Sequence, residues 1–381
     1  MPQPVPSQHL FPSRVEIDLD ALGSNMRCIK RLAGDGAAVM AVVKANAYGH
    51  GAPQVARAAL ENGADMLAVA NLAEAAQLRE AGIHAPVLTL SLVPAQQIHL
   101  ALGLDVRVTV YDSELAAQYL AALGDQQEKL AVHLKIDTGM HRLGLLPDEV
   151  MALARRLRAA PTVQLEGVYT HFAAADEDAA YTARQLAAFR QALDAMRAAG
   201  CLPRFIHAAN SPALLDCRDS YFNLVRPGVL LYGLRPLHDS PNMAAFQPAM
   251  RWKTQVAQVK TLPAGSRVGY GHAYTTRHEA TLAVLPVGYA DGLRRGPQTW
   301  RYVLLHGERS PLVGRVSMEK VIVDVSRIPS VKIGDEAVLL GGQGGRMISA
   351  DAIAGWLGSN NYEVVCMIAP RVPRAYLSLR P

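Results

Sequence analysis

The sequence predicts an α/β chain in two parts, an N-terminal (β/α)8 barrel of the TIM type followed by a mostly β C-terminal domain. From about residue 37 to 235, short apolar runs alternate with alanine-rich helical stretches, as in a parallel sheet covered by helices. After about residue 249 the alternation stops, and short β-rich runs separated by Gly and Pro turns take over. With 381 residues, half of them hydrophobic, the chain has material for a large core and for two domains.

Taken in order, residues 1–13 belong to the proline-rich opening MPQPVPSQHLFPSR, which lacks an apolar signal core and reads as a flexible tail. The barrel is expected over residues 14–248. RVEIDLDAL, at its start, could add a strand or a helix start to either domain. Eight strand candidates follow: VMAVVK, DMLAVA, PVLTLS, VRVTVY, LAVHLKI, LEGVYT, RFIHAA and LVRPGVLLYG. Between them lie stretches such as NLAEAAQLREAG, where Asn71 and Glu74 form a capping box and Gly82 marks the helix end. The β domain, expected over 249–381, is built from RWKTQVAQVK, LAVLPVGY, RYVLLHG, VIVDVS and EAVLLGG, and only SADAIAGWLG reads as a helix there.

Composition excludes several functions. The formal charge of +5 and the pI near 9.0 favour anionic ligands. No dense basic run interleaved with aromatics speaks for a nucleic acid, and no apolar stretch is long enough for a membrane span. Cys28, Cys201, Cys217 and Cys366 lie far apart without a CxxC pair, so neither a metal site nor a disulfide framework is expected. A cytoplasmic enzyme acting on a small molecule fits these limits.

Barrels of this type carry their active sites at the C-terminal ends of the strands. There the runs end near Lys44, Lys135, His171, Asn210 with Ser211, and Arg226, from five different strands. A lysine at such a place, partly desolvated, is a nucleophile toward an aldehyde. The loops after strands seven and eight, where such barrels grip phosphate, hold Asn210, Ser211, Gly228 and Val229.

VVKANAYGHG at Lys44 resembles the lysine motif of the alanine racemase family of fold-type III pyridoxal-phosphate enzymes. Further resemblances follow in order: KIDTGMHRLG at 135–144, YTHFAAAD at 169–176, ANSPA at 209–213, VRPGVLLYG at 225–233, VGYGHAY at 268–274, PVGYADG at 286–292, GRVSM at 314–318 and RVPR at 371–374. One match would be weak; the ordered set covers nearly the whole chain. The resemblance implies that Lys44 bonds the aldehyde of pyridoxal 5'-phosphate and also serves as one of two catalytic bases. Tyr270 would be the other, with His171 and Arg226 behind it.

A tyrosine of ordinary pKa about 10 is a poor base at neutral pH and needs such neighbours. Arg226 can only donate, so the pyridine nitrogen facing it would stay unprotonated. The Tyr48 hydroxyl would join the phosphate site. Arg142 and the backbone N–H of Met318 would hold the substrate carboxylate. Lys135 matches a lysine often carbamylated in the family; unmodified, it would repel Arg142 unless a carboxylate lies nearby. The resemblance further implies a homodimer with shared active sites, and a role in supplying D-alanine for peptidoglycan.

Two positions depart from the family pattern. Glu319 stands where an aspartate is common, and Pro370 where a tyrosine usually helps bind phosphate and narrows the entrance. These leave room for a broader amino-acid racemase that accepts serine or larger side chains. A decarboxylase of the same architecture would set a carboxylate against the pyridine nitrogen and usually a cysteine in the proton-donating loop; Arg226 and Tyr270 argue against it. A single-barrel cofactor carrier would lack the long β domain.

Overall fold

The computed structural model describes residues 11–236 and 240–378. The expected flexible tail lies mostly outside them, but Ser13 within it is fully buried, accepting a hydrogen bond from Trp252 Nε1 at 2.9 Å. The chain groups into two compact units. One comprises Ala21–Ala47 and Gly51–Gln247; the other comprises the chain up to Asp20, Tyr48–His50, and Pro248 onward.

The first strand, β1 (Arg14–Asp18), belongs to the second unit. The barrel unit then contains β2 (Ala38–Val42), β3 (Met66–Val69), β4 (Val87–Thr89), β5 (Val106–Val110), β6 (Leu130–Lys135), β7 (Val163–Tyr169), β8 (Phe205–His207) and β9 (Leu224–Val225). These are parallel throughout, in the order β8-β7-β6-β5-β4-β3-β2-β9. Between β8 and β9 the ring is completed by bonds just off the strands, Arg226 N to Ala209 O at 2.9 Å and Ile206 N to Asn223 Oδ1 at 2.7 Å. The near-continuous apolar runs are explained by burial on both faces: β2, β3 and β4 are almost wholly buried.

Each of the eight apolar runs carries one of these strands, but the last is shorter than its run. Only Leu224 and Val225 pair with β2. Pro227 has no N–H to give a ladder, and Val229–Tyr232 then forms a 3-10 turn ending on Gly233 in the left-handed region. The capping box on the Leu72–Glu80 helix is also half formed. Asn71 caps by accepting from Glu74 N, but the Glu74 carboxylate reaches Ala70 N and Ala45 N instead of Asn71 N.

The second unit is mainly antiparallel. It holds β10 (Met250–Gln255), β11 (Gln258–Leu262), β12 (Arg267–Val268), β13 (Tyr274–Thr275), β14 (Ala280–Leu285), β15 (Tyr302–Leu305), β16 (Glu308–Val313), β17 (Val321–Asp324), β18 (Glu336–Gln343), β19 (Arg346–Ile348) and β20 (Arg374–Leu377). Its large sheet runs β11-β14-β17-β16-β15-β18-β10-β1-β20. β1 pairs antiparallel with β10 and parallel with β20, so residues 14–18, expected within the barrel stretch, are the strand next to the edge strand β20 in this sheet. Trp252 and Trp300 pack edge to face in its core, 5.9 Å apart.

The expectation of a single helix in this region is overturned. Ala350–Leu357, with Ser349 as N-cap and Gly358 in the left-handed region, is followed by a second helix, Asn361–Cys366. Asn360 caps it by accepting from Glu363 N, a local signal stronger than the β-branched pair Val364 and Val365 that disguised it.

Among the described residues no helix is long and apolar enough to cross a membrane.

Candidate active site

Lys44 follows β2 with only Val43 between, and the residues around it fix where that strand ends. Val42 donates its N–H to Pro227 O at 3.0 Å and accepts from the Tyr232 hydroxyl at 2.9 Å. Ala45, Asn46 and Ala47 then take left-handed helical angles, with φ of 53, 52 and 54°. Tyr48 continues the run at φ 52°, and four consecutive L residues at positive φ cost roughly 1–2 kcal/mol each. Four bonds hold the turn: Ala45 N to Glu74 Oε1 (2.7 Å), Ala47 N to Val43 O (2.8 Å), Gly51 N to Asn46 O (2.9 Å) and Ala52 N to Asn46 Oδ1 (2.8 Å). The chain therefore leaves the strand in one defined direction immediately after the lysine.

Arg226, just past β9, is buried with its guanidinium inside the barrel unit. Its Nη2 donates to Thr170 O (2.7 Å) and Ala208 O (3.0 Å) and approaches His171 Nδ1 at 3.4 Å; its Nη1 donates to His207 Nδ1 at 2.8 Å. Burial lowers its pKa to about 10, so it remains a cation at neutral pH. His171, after β7, is held neutral by burial and by the positive charges of Arg226, Lys135, Arg142 and Lys44. With Nδ1 accepting from arginine, its Nε2 carries the proton and can donate.

Lys135, the last residue of β6, is buried, and its pKa falls to about 8 through burial first and the Arg142 charge second. Asp137 opposes that fall without cancelling it. The same carboxylate shapes the loop bearing Arg142, accepting from Gly139 N at 2.9 Å and His141 N at 3.0 Å. Arg142 itself is exposed.

Of the phosphate candidates, Asn210 caps the helix Ser211–Asp216 by accepting from Ala213 N at 3.2 Å. Ser211 is buried, and its Oγ accepts from Gly228 N (2.9 Å) and Leu230 N (3.4 Å). Gly228 thus spends on Ser211 the N–H that was expected to face phosphate. A hydroxyl accepting two N–H groups keeps its own proton to donate. Val229 opens the adjoining 3-10 turn.

The remaining predicted residues lie in the β unit. Tyr48 stays a phenol at neutral pH, its pKa raised by burial and by the proximity of Cys366 and Tyr362. The neighbouring Gly49 must be glycine: a Cβ there would sit 2.6 Å from Val365 O, and its carbonyl accepts from Arg374 Nε. Tyr270 is exposed in a turn between Gly269 and Gly271, both at positive φ, with the Arg295 guanidinium 5.9 Å from its ring centre. Met318 is exposed; its carbonyl accepts from Ala290 N, and Gly288 permits that approach, since a Cβ would lie 2.2 Å from the same oxygen. Glu319 is paired to Arg371 through both carboxylate oxygens, which lowers its pKa. Arg371 also reaches Asp291 at 2.9 Å, and the adjacent Pro370 is exposed.

The structure thus gathers Lys44, Lys135, Arg142, His171, Ser211 and Arg226 in the barrel unit, and Tyr48, Tyr270 and Met318 in the β unit. Sequence reasoning missed Glu74, Arg295 and the histidines His133 and His207. A Glu three residues after an N-cap did mark Glu74, but for a different bond. Each histidine was one polar letter in an apolar strand.

The donor set fits pyridoxal phosphate. It would offer a primary amine to the aldehyde, a buried guanidinium to the ring and a buried donor hydroxyl to the phosphate, in a strongly cationic setting. An all-parallel eight-strand barrel with a lysine at the end of its first strand, joined to an antiparallel sheet unit, is the build of the fold-type III class.

Family models described as "Alanine racemase, N-terminal domain" and "Alanine racemase, C-terminal domain" match residues 17–236 and 249–376. An alanine racemase of Desulforamulus reducens is 42% identical over 96% of this chain and 99% of its own. One of Symbiobacterium thermophilum is 44% identical over 96% and 97%. The solved alanine racemase of Clostridium difficile 630 superposes with a TM-score of 0.91 at 38% identity, covering 96% of each chain. That of Bacillus anthracis with bound L-Ala-P gives 0.90 at 38%, covering 97% and 96%. The chain belongs to the alanine racemase family of pyridoxal-phosphate-dependent isomerases.

Proposed function

We propose that this chain interconverts L- and D-alanine with pyridoxal 5'-phosphate as cofactor. The observation that carries the reading is the cationic cluster around neutral His171, where Arg226, Lys135, Arg142 and Lys44 all act on one imidazole. Such a cluster suits a ligand bearing both a phosphate and an amino-acid carboxylate. Relatives named alanine racemase, and one crystallised with L-Ala-P, support alanine as substrate.

Lys44 would hold the cofactor covalently and then move a proton at the substrate Cα from one face. Tyr270 would do so from the other, with the Arg295 guanidinium over its ring. His171 Nε2–H and Arg226 would complete the acid–base set, while Ser211, Tyr48, Asn210, Gly228 and Val229 would surround the phosphate. When bound, pyridoxal phosphate supplies the electron sink that makes the Cα proton acidic. Acid–base groups alone contribute about 10²–10⁴ in rate. Arg142, braced by a carbamylated Lys135, and the Met318 N–H would orient the carboxylate. The working form would be a cytoplasmic homodimer with shared sites, serving peptidoglycan synthesis.

The test is deuterium entry at Cα of enantiopure alanine in heavy water, followed with polarimetry. Wild type should exchange and racemise, and Lys44→Ala should do neither; an inert, cofactor-saturated wild type sinks the reading. Running the same assay with serine decides the effect of Pro370. A second reading, a broader racemase, holds if kcat/KM for serine approaches that for alanine.

For the shared sites, Lys44→Ala mixed with Tyr270→Phe should regain activity at one site of a heterodimer. No recovery removes the dimer arrangement.

A further inference from the structure

The barrel interior below Arg226 is polar where such barrels are ordinarily filled by branched apolar side chains. His207 at the end of β8 and His133 in the middle of β6 are both fully buried, with His207 Nε2 and His133 Nδ1 2.8 Å apart. His133 Nε2 lies 3.3 Å from Glu166 Oε2, and that same oxygen accepts from Arg107 Nε at 3.3 Å. Buried polar groups are kept only when their bonds are made, and here every ring nitrogen has its partner.

The end groups dictate the direction of every bond. Arg226 has only donors, so His207 Nδ1 accepts and its proton sits on Nε2. That proton can go only to His133 Nδ1, so His133 also carries its proton on Nε2 and gives it to Glu166. Both imidazoles are neutral: burial lowers their pKa values, and for His207 the Arg226 charge adds to it. Glu166 is ionised, because the bond from His133 and the charge of Arg107 outweigh the effect of burial. The chain is also sterically built. Gly167 stands beside Glu166 in β7, and a Cβ there would lie 2.4 Å from His133 Nδ1, displacing the ring from His207. The His207 ring is stacked on Tyr169 at 4.7 Å, and the Arg226 guanidinium lies over that same ring at 5.1 Å.

We propose that His133 and Glu166 are positioning residues for Arg226. Through His207 they form a one-way hydrogen-bond chain that fixes the tautomer facing Arg226 Nη1, and so the plane in which the guanidinium meets the cofactor ring. The cofactor half of this statement rests on the proposed function; the tautomer half does not. Glu166 anchors the far end, where a carboxylate can only accept, as Arg226 anchors the near end, where a guanidinium can only donate.

The experiment uses the full-length protein labelled with 15N-histidine, with and without added pyridoxal phosphate, and His133→Gln and His207→Gln to assign the signals. Wild type should show the proton on Nε2 in both rings even without cofactor. Glu166→Gln should keep both tautomers, because Arg107 Nε–H turns the amide oxygen toward His133. Glu166→Leu leaves the His133 Nε2–H buried without an acceptor and sets that cost against the Arg226 contact, so both rings should show mixed tautomers, and pyridoxal-phosphate binding should weaken about tenfold, the worth of one hydrogen bond to a charged group. A wild-type His207 protonated on Nδ1 overturns the proposal, with no variant needed. So does a Glu166→Leu protein with unchanged cofactor affinity. If wild type binds no pyridoxal phosphate at all, the proposed function fails, while the tautomer result still tests the chain.

Discussion

Lys135 shows how a single side chain carries chemistry that its position alone does not reveal. Its amine is pushed down to about 8 by burial and Arg142, while Asp137 pulls the other way. Carbamylation needs the neutral amine, whose fraction rises as pH climbs through that pKa. Carbon-13 NMR with labelled bicarbonate should therefore show a carbamate signal that grows from pH 7 to pH 9 and is absent in Lys135→Met; a signal flat across that range would rule out carbamylation governed by this pKa. At this scale the sequence was informative where a residue sits in a distinctive local string, as Lys44 does before ANAYGHG. It was silent on His133, His207 and Glu166, whose meaning arises only when β6, β7 and β8 lie side by side. Gly228 was expected to turn its N–H to phosphate, and no string could show that this N–H is spent on Ser211.

The left-handed turn after β2 is the element whose handedness matters most. In an ordinary right-handed helix, glycine in place of Ala45 would cost about 1 kcal/mol. Here the sign should reverse, since glycine escapes the roughly 1–2 kcal/mol left-handed penalty against an entropic cost of about 0.5–1. Ala45→Gly should hold or raise the midpoint of thermal unfolding while lowering kcat by loosening the lysine, and Ala45→Val should destabilise. If glycine were the more damaging of the two, the turn would not be left-handed. Nothing in KANAY betrays this, because alanine is the strongest former of the opposite hand. The barrel strands were legible for the contrary reason: burial on both faces forces long apolar runs with no polar alternation to misread. The Asn361–Cys366 helix was missed because six residues give too short a window for periodicity, leaving only its cap as a signal.

Across the whole molecule, strands far apart in sequence meet in one sheet, with β1 between β10 and β20. Ile17 is fully buried there, and Ile17→Ala should cost about 2–5 kcal/mol. Hydrogen exchange should show the loss in the amides of β10 and β20, with β2–β8 still protected; barrel amides opening first would contradict the assignment of β1. A two-part architecture was legible in the change of pattern near residue 249, but the membership of residues 14–18 was not, because a lone five-residue strand carries no mark of the partner it will choose. The same membership governs any attempt to graft pieces between relatives. A transplanted sheet unit must bring three separated stretches, the strand at 14–18, the tripeptide Tyr48–His50 and everything from Pro248 on. A chimaera cut once near residue 248 would give β10 and β20 a foreign strand to bind, and Arg374 a foreign carbonyl in place of Gly49.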